Sequence, residues 1–199
     1  MHTKIRGEPM SPSIKHLFVA IPVPSEIKQQ LNDWQIQMKQ RISFKKWVFP
    51  EDYHITLKFL GGVNQDTWLR LKPLISQITA GESTFSLHIE GLGTFGQPSS
   101  PRILWTGVKG DLNPLFNLQK NIDVSMDSLG FKAETRSYTP HLTVAKNYAG
   151  KAKLDTPYLE QAAQQLPMPL QWEVNEIVLY QTHLGREPMY EAVEVFSFR

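Results

Sequence analysis

The chain has 199 residues, 41% of them hydrophobic and 20% charged, with a formal charge of +2 and no cysteine. Such a composition suits a globular protein with one sizeable core or two small intimate lobes. It excludes a disulfide scaffold and thiolate metal sites, offers no run long enough for a membrane span, and lacks the dense basic stripe of a duplex-DNA binder. The sequence pI of about 8.7 permits a phosphate-bearing ligand.

Residues 1–15 are polar and lack the apolar middle of a signal peptide, so the expectation is a flexible N-terminal arm on a cytoplasmic protein. The main domain then spans 16–199. "HLFVAIPVP" (16–24) reads as a strand stopped by prolines. Ser25 can cap a helix whose apolar stripe is Ile27, Leu31, Trp34 and Met38. "YHITLKFLG" (53–61) alternates as a strand, with His54, Thr56 and Lys58 on one face and Ile55, Leu57 and Phe59 on the other. Asn64 can cap the next helix, which turns Trp68, Leu71, Ile75 and Ile78 inward.

A strand over 85–95 and a turn at "GQPSSP" follow, and the pattern starts again. "RILWTGV" is a strand, 111–129 a helix, "HLTVAK" a strand and "TPYLEQAAQQL" a helix with Pro157 near its start. "EIVLYQTHL" and "YEAVEVFSF" form a hairpin around "GREP". Leu17 and His54 are 37 positions apart, Ile103 and His141 38, so the two halves repeat the same order of elements.

The matching strands carry the same polar signature, His54-Ile55-Thr56 and His141-Leu142-Thr143. Six histidines among 199 residues would give roughly 0.4 His-x-Thr triplets by chance. In a strand, residues i and i+2 project on one side, so each triplet presents an imidazole beside a hydroxyl. Two lobes facing across a cleft would set two imidazoles on either side of one small group. One can accept a proton while the other donates, and the hydroxyls can hold charged oxygens between them. That suits in-line displacement at phosphorus without a metal. No carboxylate or third histidine stands at a familiar ligand offset, so neither a metal nor any other cofactor is expected.

"HITL" and "HLTV" resemble the tandem HxTx motifs of the 2H phosphoesterase superfamily. "FVAIPVP", "WVFPEDYHITLKFLGGV", "FGQPSSPRILWTGV", "YTPHLTVAK" and "YEAVEVFSF" resemble its RNA 2′,3′-cyclic phosphodiesterase branch, also called the 2′-5′ RNA ligase family. The resemblance implies an α+β fold of two pseudo-symmetric lobes, each an antiparallel sheet with helices outside, and an active-site cleft between them. It implies hydrolysis of a 2′,3′-cyclic phosphodiester to a 2′-phosphate, on RNA ends or nucleoside 2′,3′-cyclic phosphates, by a monomer. His54 would then be proton donor to the leaving 3′ oxygen and His141 proton acceptor from water, with Thr56 and Thr143 holding the phosphate. Microscopic reversibility allows ligation of 2′-phosphate and 5′-hydroxyl ends.

The family often has Arg five positions after the second His, where this chain has Lys146; it keeps the charge without the planar fork, and reads either as a phosphate contact or as a solvated strand end. Alternation points Lys58 into the cleft, though its long side chain can run out to solvent. Tyr53, Phe18 and Tyr138 are candidates for stacking on a base. The competing reading is an RNA-binding or regulatory module of the same fold with little turnover; two intact HxTx motifs weigh against it.

Overall fold

The computed structural model describes residues 14–151 and 153–199. The expected N-terminal arm therefore lies outside the described residues, apart from Ile14 and Lys15, and Lys15 already opens the first strand.

The first half runs β1 (Lys15–Pro22), α1 (Ser25–Lys39), β2 (Phe44–Trp47), β3 (His54–Val63) and α2 (Gln65–Thr79). The second runs β4 (Phe85–Gln97), β5 (Ser100–Gly110), α3 (Leu112–Asp127), β6 (His141–Tyr148), α4 (Thr156–Ala163), β7 (Gln171–Val174), β8 (Glu176–Thr182) and β9 (Tyr190–Ser197). Asn64 caps α2, its Oδ1 accepting from the Thr67 N–H at 2.9 Å. Ser25 does not cap α1: the helix begins at Ser25 itself, and Pro24 stands at the cap with no side-chain bond.

The strands pair in the order β7-β4-β5-β6-β3-β1-β8-β9, with β2 on β6, and every pairing is antiparallel. The halves β3-β1-β8-β9 and β6-β5-β4-β7 are the two lobes, joined where Ile55 of β3 stands opposite Leu142 of β6. Helices cover one face. There Ile27, Leu31, Trp34 and Met38 of α1, and Leu115, Leu118, Ile122 and Met126 of α3, pack with Val19, Ile55, Leu104 and Leu142 in the main core. On the other face a smaller cluster of Phe18, Ala20, Val178 and Tyr180 lies beneath the polar residues of the two motifs. The 3.6-residue stripes of the helices make this arrangement unavoidable, since each buries its apolar side against the sheet. No helix of the described residues is long and apolar enough to cross a membrane.

Each HxT strand departs from simple alternation just after its threonine. Opposite β3, Ala20 pairs with Thr56 but Val19 pairs with Lys58, so Leu57 is an extra residue. Opposite β6, Trp105 pairs with Thr143 but Leu104 pairs with Ala145, so Val144 is extra. A bulge of this kind turns two successive residues to one side. Leu57 and Lys58 both face the helices, as do Val144 and Ala145, and the fifth residue after each histidine returns to the cleft face. Those residues are Phe59 and Lys146. The expectation that Lys58 shares the face of His54, with Phe59 in the core, is therefore corrected: Lys58 is 3% exposed and Phe59 66%.

Candidate active site

His54 opens β3 after a single 3₁₀ turn at Pro50–Asp52, and His141 opens β6 after the loop that follows α3. Ile55 and Leu142 point into the core, so the residues on either side of them point away from it. Extending the antiparallel register by one step puts His54 across from Thr143 and Thr56 across from His141. The four polar residues of the two motifs thus share one face in crossed pairs.

Both imidazoles are held in the same manner. His54 Nδ1 donates to the Asp52 carbonyl at 2.7 Å, and His141 Nδ1 to the Thr139 carbonyl at 2.8 Å. Each bond places the proton on Nδ1 and leaves Nε2 facing the cleft as an acceptor when the ring is neutral. On the His54 side Nε2 lies 3.1 Å from Thr56 Oγ1, whose hydroxyl donates to it. Aromatic rings fix the planes. Phe18 lies 4.8 Å and Tyr190 5.1 Å from His54, centroid to centroid, and Phe95 stands edge-on to His141 at 4.9 Å.

This packing strips water from the rings and so disfavours their charged forms. Burial pushes His54 down to about 4, opposed by its bond to the Asp52 carbonyl and helped by the charges of Lys146, His141 and Lys28. Burial likewise lowers His141, opposed by the Thr139 carbonyl. Both shifts favour the neutral imidazole.

The turn before His54 is itself tied down. Asp52, 6% exposed, accepts from the Met189 and Tyr190 N–H groups at 3.0 Å, fastening the turn to the start of β9. Lys28 Nζ donates to the Glu51 carbonyl at 2.8 Å. Neither contact has a signal in the sequence, because each joins residues far apart in the chain.

A cleft of about 640 Å³ opens beside Thr56 and His141, walled by Phe59, Phe95, Arg102 and Tyr138. Of the residues expected to touch substrate, Lys146 is half-buried on the cleft face. Lys58 is not at its disposal: its ammonium is ion-paired with Asp123 of α3 and donates to the Lys132 carbonyl at 2.6 Å. Tyr53 is 1% exposed in the core, with Gln35 Nε2 donating to its hydroxyl at 2.6 Å, so neither ring face is open to a base. Phe18, 2% exposed, is a shelf for His54. Tyr138 lines the cleft and donates to the Thr56 carbonyl at 3.0 Å. Phe59 was missed by alternation, though its match to Lys146 at the fifth position after each histidine was readable. Among the described residues no group of three or more His, Asp or Glu could hold a metal ion.

A family model described as LigT-like phosphoesterase matches residues 21–105 and 109–190. An RNA 2′,3′-cyclic phosphodiesterase of Geobacillus stearothermophilus is 37% identical over 182 residues, covering 91% of this chain and 56% of that protein, so the chain spans little more than half its length. A Bacillus subtilis protein of the same name is 30% identical over 192 residues, 92% of this chain and 96% of its own. The fold superposes on the crystal structure of E. coli LigT complexed with 3′-AMP with a TM-score of 0.78, at 21% identity, over 94% of this chain and 99% of that one.

Proposed function

Because the chain belongs to the LigT-like phosphoesterase family, we propose that it hydrolyses 2′,3′-cyclic phosphodiesters at RNA ends to 2′-phosphates, with His54 and His141 as acid and base and no metal. The reading is carried by one observation: the single register pair Ile55 and Leu142 sets two imidazoles and two threonines on one face. Two relatives named RNA 2′,3′-cyclic phosphodiesterase support the substrate class.

In this mechanism the cyclic phosphate lies between the two Nε2 atoms. His141 takes a proton from the attacking water as the new P–O bond forms. His54 gives its proton to the 3′ oxygen as the P–O3′ bond breaks, leaving a 2′-phosphate and a 3′-hydroxyl. Thr56 and Thr143 donate to the non-bridging oxygens, where charge grows. The acid must first be charged, and burial, which pushes His54 down to about 4, opposes that at pH 7. The phosphate anion supplies the correction, since a negative charge between the rings favours the imidazolium. A ribose 5′-hydroxyl in place of water would give a 2′–5′ linkage by the same displacement. Phe59, exposed beside Thr56, offers a face to the base, as does Tyr138.

The test is single-turnover cleavage of an oligonucleotide ending in a cyclic phosphate, with excess chelator present. Wild type should keep its rate, and His54→Ala and His141→Ala should each lose roughly 10²–10⁴-fold while remaining folded. A rate abolished by chelator and restored by one metal would overturn the metal-free mechanism. A folded variant at near-wild-type rate would remove that histidine.

A further inference from the structure

Residues 131–140, between α3 and β6, belong to no helix or strand, yet they decide how His141 is held. The Thr139 carbonyl accepts from His141 Nδ1 at 2.8 Å, so the place of this loop sets the direction of the ring. Residues 132–137 are all exposed, and packing does little to position them. The loop takes its place from the strand of the other motif. Buried Lys58 donates through Nζ to the Lys132 carbonyl at 2.6 Å and is ion-paired with Asp123 of α3. The Glu134 N–H donates to both oxygens of that carboxylate, 3.2 Å to each. Nearer β6, the Tyr138 hydroxyl donates to the Thr56 carbonyl at 3.0 Å. Thr56 and Lys58, on either side of the bulged Leu57, thus hold the loop at two points.

Stability alone does not account for a lysine at this position. An ammonium taken out of water needs a buried partner, and an apolar pair of similar volume often serves a core as well. What the ion pair adds is direction. Hydrogen bonds to one carbonyl and one N–H fix where a backbone runs, because they weaken steeply once misaligned.

Resting on the phosphodiesterase reading, we propose that Lys58 is a positioning residue for His141. Through Asp123, Lys132 and Glu134 it fixes the loop that brings the Thr139 carbonyl to the second imidazole. The two motifs are thereby coupled. A side chain four residues after the first histidine keeps the second histidine's Nε2 turned to the cleft.

The test replaces the buried pair by an apolar one, Lys58→Met with Asp123→Leu, and follows His141 directly. Nitrogen-15 NMR of labelled histidine at pH 8 reports which ring nitrogen carries the proton. In wild type both cleft histidines should carry it on Nδ1. The double variant should stay folded, lose the single tautomer at His141 and keep it at His54, whose Nδ1 is held by the Asp52 carbonyl. Its kcat on a cyclic-phosphate end should fall about tenfold with KM changed less than about twofold, because a misplaced base slows the chemical step. Glu134→Pro deletes the tethered N–H and leaves the ion pair in place, so it should move both readouts the same way. A folded double variant with wild-type His141 signals and kcat overturns the proposal, as does a lowered Tm with both unaltered. Should the double variant not fold, unmoved signals and rate in Glu134→Pro overturn it. Absence of turnover in wild type would overturn the enzymatic reading, and the His141 tautomer would still decide whether Lys58 orients the ring.

Discussion

Ile55 and Leu142, 87 positions apart in the chain, face each other where β3 meets β6, and neither touches solvent. This apolar pair joins the lobes and sets the relation between the two histidines. A half-site on either strand alone presents one imidazole and one hydroxyl. The proposed acid–base pair comes into being with the register, and a slip of one residue in either strand would turn that strand's motif into the core.

Breaking the Lys58–Asp123 pair should cost more stability than its count as one ion pair suggests. Asp123→Ala strands a buried ammonium and removes the acceptor of the Glu134 N–H, 3.2 Å away, which holds the loop before His141. The expected loss is about 3–5 kcal/mol. Denaturant unfolding measures it, and Lys58→Met combined with Asp123→Leu should recover much of the loss. A single variant within 1 kcal/mol of wild type would show that the pair is dispensable.

Asp52 acts on His54 through the turn it anchors. Asp52→Asn keeps the shape, but its amide NH₂ cannot accept from the second of the two N–H groups at Met189 and Tyr190. The Asp52 carbonyl that orients His54 should then shift. We expect kcat to fall about tenfold with KM little changed, since small misplacement of a proton donor is costly. A lowered Tm with unaltered kcat would mean that Asp52 serves stability alone.

Gly93 makes room for the indole that flanks His141. A Cβ there would lie 2.2 Å from Trp105 Cζ2, and that ring's centroid is 6.2 Å from the imidazole. Gly93→Ala should therefore displace the indole, costing about 1–3 kcal/mol from overpacking and slowing turnover as well. Thermal melts and rates of the variant are the check; wild-type values for both would show that the ring moves aside freely.

The lowered histidine pKa values predict acid sensitivity of a definite sign. Folded His54 binds its proton near pH 4 and the unfolded chain near 6.5, so protonation favours unfolding. Its contribution to stability is whole above pH 6.5, declines as pH falls toward 4 and levels off below that. His141 shifts in the same direction. The Tm of wild type should drop more between pH 7 and pH 4.5 than that of His54→Phe. Parallel curves for the two proteins would contradict the shift.

The rate carries the same signature. If bound phosphate raises the imidazole acid, the alkaline limb of kcat should lie at higher pH than that of kcat/KM, which reports the free enzyme. Coincident limbs in the two profiles would show that the anion leaves the acid where burial put it.

Much of this was readable from local pattern. The stripe Ile27, Leu31, Trp34 and Met38 is buried as its 3.6-residue spacing implies, Asn64 caps its helix, and the closing hairpin spans 176–197. The two His-x-Thr triplets lie on strands with their polar residues on one face, as period-2 alternation requires. Each of these depends on residues within a few positions of one another, which is what periodicity reports. Strands β2 and β7, of four residues each, are too short to show a period and are held by their partners. The bulges after Thr56 and Thr143 exist because the neighbouring strands β1 and β5 pair one residue short there, a relation that neither β3 nor β6 encodes alone. From them follow the burial of Lys58 against Asp123, 65 positions away, the exposure of Phe59 and the turn of Lys146 to the face of the two motifs. Side-chain periodicity assigns a face relative to one strand's own axis. Which residue is the extra one, and which charge meets which, are settled by contacts between segments distant in the chain.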